Sequence, residues 1–373
     1  MNLITQPLSA ERNRFLYVGM DIHKDTHTAV AIDCFGQNLL ELKIANAPKD
    51  FEQLIVAVKQ LSQEQHLHPI FGLEDSYGYG SRLARFLYQT NARVKMVPPI
   101  LVDTLRRYET HPEKNDSLDA LGVAKVLIQR IDSLPDYSIS KADDLSKEIK
   151  ELALDREFLV KEQTRIKNQL HRLLHTAYNS AYRNKFKNPF SLKALRYWKA
   201  HPIPRVNSEP VSSVLKNQIK QKIKRLIDIR EEVKEIEQEL AALTKQTGQK
   251  LNTLNGSGTV LTAQVLAEVR NIERFHSPDA LAKYAGLAPR ERSSGKTMRH
   301  IKTKSGNRRL NMAIHRIALS QISKSGNAEA KGHFQRKLSE GKTKAQALCC
   351  LKRRLVDIIF MMLKHKQEYS YTK

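Results

Sequence analysis

The chain is short of several things that would assign it quickly. Its 373 residues include only three cysteines, Cys34, Cys349 and Cys350. They lack the paired spacing of a zinc site and are too few for a disulfide framework, so buried free thiols are expected. No apolar run approaches the length of a membrane span, and the first residues, MNLITQPLSAERNRF, lack the basic-then-apolar design of an export signal. An intracellular, cytoplasmic protein with no membrane partner is the expectation. Acid is scarce as well: 39 Asp and Glu stand against 63 Lys and Arg, a formal net charge of +24. That excess goes beyond what solubility needs and points to a polyanionic partner. It is unevenly placed. Residues 1–135 hold 15 basic and 16 acidic side chains, leaving 48 and 23 to the remainder, so the front is −1 and the rear +25.

What is present begins with an ordinary core. At 40% hydrophobic residues, a chain of 373 can form two or three domains. Phe15–Met20 is an apolar strand, Thr26–Asp33 and Asn38–Ala45 complete a meander, and Phe51–Leu61 has the spacing of an amphipathic helix. His68–Leu73 is a fourth strand, Ser81–Gln89 a helix, Arg93–Val97 a fifth strand, and Ile100–Tyr108 starts another helix. Three strands, helix, strand, helix, strand, helix is the order of a ribonuclease-H-like α/β fold, a mixed sheet flanked by helices. Four carboxylates fall where that fold can use them. Asp21 ends the first strand, Glu74 the fourth, and Asp116 and Asp119 share one face at the start of a helix over Asp116–Arg130, which Asp116 can also cap. Together they would hold a pair of Mg²⁺ ions, as phosphoryl transfer requires. Singly, Asp116 is equally well a cap, and Glu74 or Asp75 a loop acid.

Behind Pro135 the pattern changes. Leu145, Leu152, Leu159, Ile166 and Leu173 recur every seven residues, with Ile149 and Leu170 beside them. Ile219, Leu226, Val233 and Leu240 repeat in the same way, with Ile229, Ile236 and Leu243 three later. Two coiled-coil helices are expected, able to pair within the chain or between protomers, with a part in dimerisation favoured. Between them, Asn179–Ser213 interleaves Tyr182, Phe186, Phe190, Tyr197 and Trp198 with basic residues. Such a segment either stacks on unpaired bases or makes a small core of its own.

Gly256-Ser257-Gly258 then leads into a helix over Thr259–Arg270. A glycine turn before a helix N-terminus exposes backbone amides to a phosphate, as in helix-hairpin-helix elements. In YAGLAPRERSSGKTMRHIKTK a Pro-closed turn is expected to carry Ser293, Ser294 and Gly295. Arg290, Arg292, Lys296, Arg299, His300, Lys302 and Lys304 surround the two hydroxyls. These are either simple turn serines or hydroxyls set to meet a phosphate. Helices over Arg308–Ser320 and Ala345–Lys364 follow.

The runs YVGMDIHKDTH, FGLEDSYGYG and KNDSLDALGVAKVL resemble the DEDD transposases of insertion sequences, which have a RuvC-like N-terminal domain and are related to Piv-type DNA invertases. GSGTVLTAQVLAEV, GLAPRERSSGK, KSGNRRLNMAIHRIAL and KLSEGKTKAQALCCLKRRL resemble that family's C-terminal domain. The resemblance implies a RuvC-like catalytic domain over 1–135, a coiled-coil region with a basic insertion over 136–248, and a mainly α transposase domain over 249–373. It matches Asp21, Glu74, Asp116 and Asp119 to the family's four acids, with Lys114 as the basic residue before the last pair. It also turns the serines into candidate nucleophiles, Ser294 ahead of Ser293, with the doublet leaving both open. The activity implied is recombination of donor and target DNA through a phosphoserine linkage, with Mg²⁺, guided by a bridge RNA, in a dimer or tetramer at a prokaryotic nucleoid.

Two other classes compete. A metal-dependent nuclease of junction-resolvase type would use the same acids with water as nucleophile. A non-enzymatic nucleic-acid scaffold would need none of them. A sugar-kinase-like ATPase is disfavoured, because Ile22-His23-Lys24 stand where it needs glycines.

Overall fold

The apolar run after Arg14 becomes the central strand of a sheet. The structure, a computed structural model, describes residues 7–75, 78–108, 115–139, 141–201, 213–294, 297–301 and 306–370. The chain divides into two units, Met1–Ser140 and Lys141–Lys373. In the first, β1 (Phe15–Ile22), β2 (Thr26–Ile32) and β3 (Asn38–Ala45) form an antiparallel meander. After α1 (Pro48–Gln65), β4 (His68–Leu73) pairs parallel with β1. After α2 (Ser81–Gln89), β5 (Arg93–Met96) pairs parallel with β4. Helices α3 (Pro99–Arg106) and α4 (Asp116–Arg130) follow. The order β3-β2-β1-β4-β5 is the expected ribonuclease-H-like mixed sheet.

Both faces of β1 are covered, and the two-residue period of a strand sorts its side chains. Leu16, Val18 and Met20 join the core beneath α1 and α2, whereas Phe15 and Tyr17 join the core beneath α4. Gly19 shares the α4 side. A Cβ there would lie 2.1 Å from the carbonyl oxygen of Ala120 and 2.4 Å from the nitrogen of Ala124. Glycine therefore lets the α4 backbone rest directly on the strand. By the same parity Asp21 emerges on the α4 side, close to where that helix begins.

The second unit holds α5 (Lys141–Tyr178), α6 (Ala181–Lys185), α7 (Leu192–Ala200), α8 (Ser213–Gln246), α9 (Thr259–Val269) and α10 (Pro278–Tyr284). The hairpin β6 (Arg290–Ser294) and β7 (Thr297–Ile301) comes next, then α11 (Arg308–Ile322), α12 (Ala328–Ser339) and α13 (Lys344–His365). Helices α5 and α8 run antiparallel and bury Ile149, Ile166, Leu170, Ile219, Leu226 and Leu240 in one core. Arg156 meets Glu237 at 2.6 Å and Arg225 meets Glu162 at 2.9 Å across the pair. The heptad seams favoured above for dimerisation are thus filled within one chain. Helix α9 contributes to two cores, sending Ala263 and Ala267 towards α5 and α8 and Val265, Leu266 and Val269 towards α10, α11 and α13.

The aromatic insertion takes one of its two open readings, and the expectation for the cysteines changes. Tyr182, Phe190 and Trp198 are buried, and Phe186, Tyr197 and Trp198 meet edge to face, so the aromatics make a local core. Arg230 caps that core by donating to the Phe190 carbonyl. The cysteines are not buried: Cys349 is exposed on α13, and Cys34 and Cys350 are half-buried. Among the described residues, no helix is long and apolar enough to cross a membrane.

Candidate active site

Three of the four acids are positioned by backbone geometry alone. Strand register aligns Asp21 with Thr28 and Thr28 with Lys43, which sets one row of side chains across β1, β2 and β3. Asn115, not Asp116, caps α4: its Oδ1 accepts from the Leu118 amide at 2.7 Å. Asn115 has the extended backbone a cap needs, and Asp116, one residue later, is left free to face the sheet. After β4, Asp75 folds back to accept from the amides of Gly78 at 2.7 Å and Tyr79 at 3.0 Å. Asp75 is therefore the turn acid and Glu74 the one that remains. In β4 the residues facing α4 are Ile70 and Gly72, and Glu74 continues their parity.

Around these acids lie basic side chains that the sequence did not single out. His23 Nε2 is 3.0 Å from Asp21 Oδ2 and 3.2 Å from Asp116 Oδ1. Only the second contact is aligned as a hydrogen bond. Asp21 Oδ2 therefore remains a buried oxygen with no hydrogen-bond donor, on a residue only 6% exposed. Lys43 Nζ reaches Asp116 Oδ2 at 2.9 Å, and Arg106 holds Asp119 at 3.0 Å while also holding Asp103.

Electrostatics couple the four acids, although Glu74 and Asp119 are not among the side chains that bring ligand atoms together at metal-binding distance. Burial pushes the Asp21 carboxyl above the usual carboxylate range, and the charges of Asp119 and Asp116 add to that while His23 opposes it. Burial raises Glu74 too, reinforced by Asp21 and Asp119 and countered by Arg106. The hydrogen bond from Lys43 holds exposed Asp116 low. Asp21, His23 and Asp116 offer ligand atoms all within 4.8 Å of one another. A donorless buried carboxylate oxygen, beside a second carboxyl group, Glu74, raised first by burial and then by neighbouring carboxylates, fits a divalent cation.

In the second unit the candidate serines lie on β6 rather than in a turn. Ser293 pairs with Met298 and Ser294 with Thr297. Arg290, Arg292 and Arg299 also lie on the two hairpin strands. Lys114, Lys296, Lys302 and Lys304 fall outside the described residues. The hairpin is pinned at its root. Asn307 donates from its backbone to the Tyr284 carbonyl at 2.7 Å, and its Nδ2 donates to Tyr284 Oη at 3.0 Å and to Glu268 Oε2 at 2.6 Å. Gly256, at φ +83°, turns against α11, where a Cβ would meet Ser320 at 2.9 Å. Gly258 instead faces open space before the first turn of α9.

Comparison with known proteins accounts for both ends of the chain. A family model for DEDD transposases of IS110 type matches residues 18–179, and one for the transposase IS116/IS110/IS902 family matches residues 248–334. The chain belongs to the IS110 family of transposases. It is 24% identical to the 44.8 kDa protein of insertion element IS116 from Streptomyces clavuligerus, covering 96% of this chain and 97% of that one. It is also 24% identical to the 42 kDa protein of IS900 from Mycobacterium paratuberculosis, covering 95% and 97%. T. thermophilus RuvC in complex with Holliday junction substrate aligns with 33% of this chain and 99% of its own, at 10% identity and a TM-score of 0.25. For an IS110-family transposase, the residues that sequence reading missed are His23, Lys43 and Arg106. His23 has a local signal, two residues beyond Asp21. Lys43 and Arg106 have none, since they reach the site only through strand register and helix packing.

Proposed function

We propose that this transposase recombines insertion-sequence DNA through a covalent serine intermediate, with Mg²⁺ held by Asp21, Glu74, Asp116 and Asp119. The observation that carries the metal assignment is the donorless, buried Asp21 Oδ2 beside Asp116 and His23. When bound, the ion stabilises charge on the phosphate and on the departing oxygen. The chain's own groups do the rest. Lys43 and His23 orient Asp116, and Arg106 orients Asp119. The Ser294 hydroxyl, with Ser293 as the alternative, gives its proton to solvent water and attacks phosphorus. A P–O bond to the DNA breaks, and the departing oxygen takes up a proton. A hydroxyl of the second DNA then displaces the serine, so the phosphodiester is re-formed without external energy. The serine is supplied by the same chain or by a second copy in a dimer or tetramer. The +25 rear part fits a guiding bridge RNA beside the donor and target DNA.

A plain nuclease using water is the second reading, favoured by the acid cluster taken alone. Full-length protein, Mg²⁺ and labelled insertion-sequence DNA separate the two. The proposal expects a denaturant-resistant protein–DNA adduct that Ser294→Ala or Ser293→Ala abolishes. Cleavage that persists in the double serine variant, with no adduct in the parent protein, means a nuclease. RNA co-purified with the protein should contain loops complementary to the DNA flanking the gene.

A further inference from the structure

The second unit has a cleft of about 980 Å³ beside the root of the serine hairpin. It opens between the first turn of α11, the start of α13 and the segment that enters β6. Its described lining carries five Lys or Arg side chains and no carboxylate. Two of the five are engaged by acids outside it, Lys337 by Glu340 at 2.8 Å and Arg353 by Asp279 and Asp357. Lys352 is buried, with its Nζ 3.2 Å from Asn311 Oδ1. The exposed side chains of Arg308 and Lys342 make no hydrogen bond or ion pair among the described residues, although Glu340, already held by Lys337, is near enough to Lys342 to feel its charge. The same cleft is also lined by the apolar side chains of Leu287, Ala288, Pro289, Met312 and Cys350.

Cations without ion-pair partners in a cleft that is also lined by apolar side chains are complementary to a nucleotide, which offers a phosphate on one side and a flat, weakly polar base on the other. The volume lies near the upper end for a single bound small molecule, so it admits more than one nucleotide. Duplex DNA keeps its bases stacked inside and would present no base to such a lining. We propose that the cleft holds an unpaired stretch of a nucleic-acid strand, with its phosphates on Arg308 and Lys342 and a base against Met312 and Cys350. Pro289 lines the cleft and is followed directly by β6, so a strand seated there lies at the root of the serine-bearing hairpin. The inference rests on the proposed reading of the chain as an enzyme of nucleic-acid strands, but not on which atom attacks the phosphate.

The chain's own thiols report on this cleft, because Cys349 and Cys350 line it and the third cysteine, Cys34, can be removed as Cys34→Ser. The measurement is the rate at which N-ethylmaleimide alkylates Cys349 and Cys350 in the full-length protein, alone and with a saturating single-stranded oligonucleotide of DNA or RNA. With nine-tenths of the protein bound, alkylation should slow by about tenfold. Protection by DNA identifies a substrate strand, and protection by RNA a guide strand. Arg308→Gln and Lys342→Gln should each reduce the slope of log affinity against log salt by about 0.7, the loss of one single-strand phosphate contact. Unchanged alkylation with bound oligonucleotide, verified by anisotropy, overturns the proposal, as does an unchanged salt slope in both variants. The Ser293→Ala, Ser294→Ala double variant should retain full protection, so failure of the serine mechanism appears only in the adduct assay.

Discussion

Asn307 donates from Nδ2 to the buried Oε2 of Glu268 at 2.6 Å, while its own Oδ1 accepts from the Leu310 amide at 2.9 Å and caps α11. One side chain thus joins the exit of the serine hairpin to α9 and starts the next helix. Asn307→Asp keeps the cap but removes the donor and sets a carboxylate against Glu268. Loss of a hydrogen bond to a buried charged group predicts about 2–3 kcal/mol of destabilisation in urea unfolding. Asn307→Ala loses the same hydrogen bond and also the cap, the latter worth about 1 kcal/mol, but adds no repulsion. If Asn307→Asp proves as stable as the parent protein, Glu268 does not hold the hairpin root.

Contact between β1 and α4 is equally specific. Gly19→Ala inserts a methyl where the Ala120 carbonyl oxygen and the Ala124 nitrogen already stand. Overpacking of a well-filled core costs about 1–3 kcal/mol, and here the obstruction is backbone, which yields less readily than a side chain. The helix that carries Asp116 and Asp119 must lift from the strand that carries Asp21. The expected result is lower stability together with loss of Mg²⁺-dependent stabilisation in thermal melts. A variant that keeps the full Mg²⁺ response would show that α4 need not rest on β1.

The acid cluster predicts opposite pH trends with and without metal. Asp21 and Glu74 are raised above the usual carboxylate range in the folded state, first by burial and then by neighbouring carboxylates. A raised folded value means that their favourable contribution is present in acid and is lost as pH climbs through that value. Metal-free protein should therefore lose this contribution from the ordinary carboxylate range upward. Asp21→Asn should flatten the trend. Mg²⁺ binds the deprotonated form, so the rise it causes in melting temperature should grow over the same interval. Melts from about pH 4.5 to about pH 8 measure both trends. A Mg²⁺ effect that is largest in acid would remove these carboxylates from the metal site.

How much of this was legible in the sequence depended on distance along the chain. Phe15–Met20 announced a buried strand, and strand parity carries from it to Asp21. The Asn115–Asp116 pair marks a helix start, but both side chains are able to cap and only the backbone shows that Asn115 does. Lys43 and Arg106 were invisible because register and packing, not local pattern, bring them to Asp116 and Asp119. The serine hairpin is hidden in the sequence because RERSS and TMRHI lack the apolar alternation that marks a strand, while Ser-Ser-Gly has turn composition. The heptads announced their helices but not their partner, since a seam reads the same whichever chain fills it.

That last ambiguity yields a direct test. Leu170 and Leu226 are fully buried between α5 and α8 of one chain. Leu170→Ala should cost about 2–5 kcal/mol, the usual loss for a buried leucine whose cavity cannot fully collapse. Arg225→Ala removes the contacts to Glu162 and Glu232 from a partly exposed site, so it should cost no more than about 1 kcal/mol. Neither change should alter the assembly size measured by light scattering at a fixed protein concentration. If Leu170→Ala instead converts an oligomer into a folded monomer of parental stability, the seam is shared between chains and the in-chain pairing of α5 with α8 is wrong.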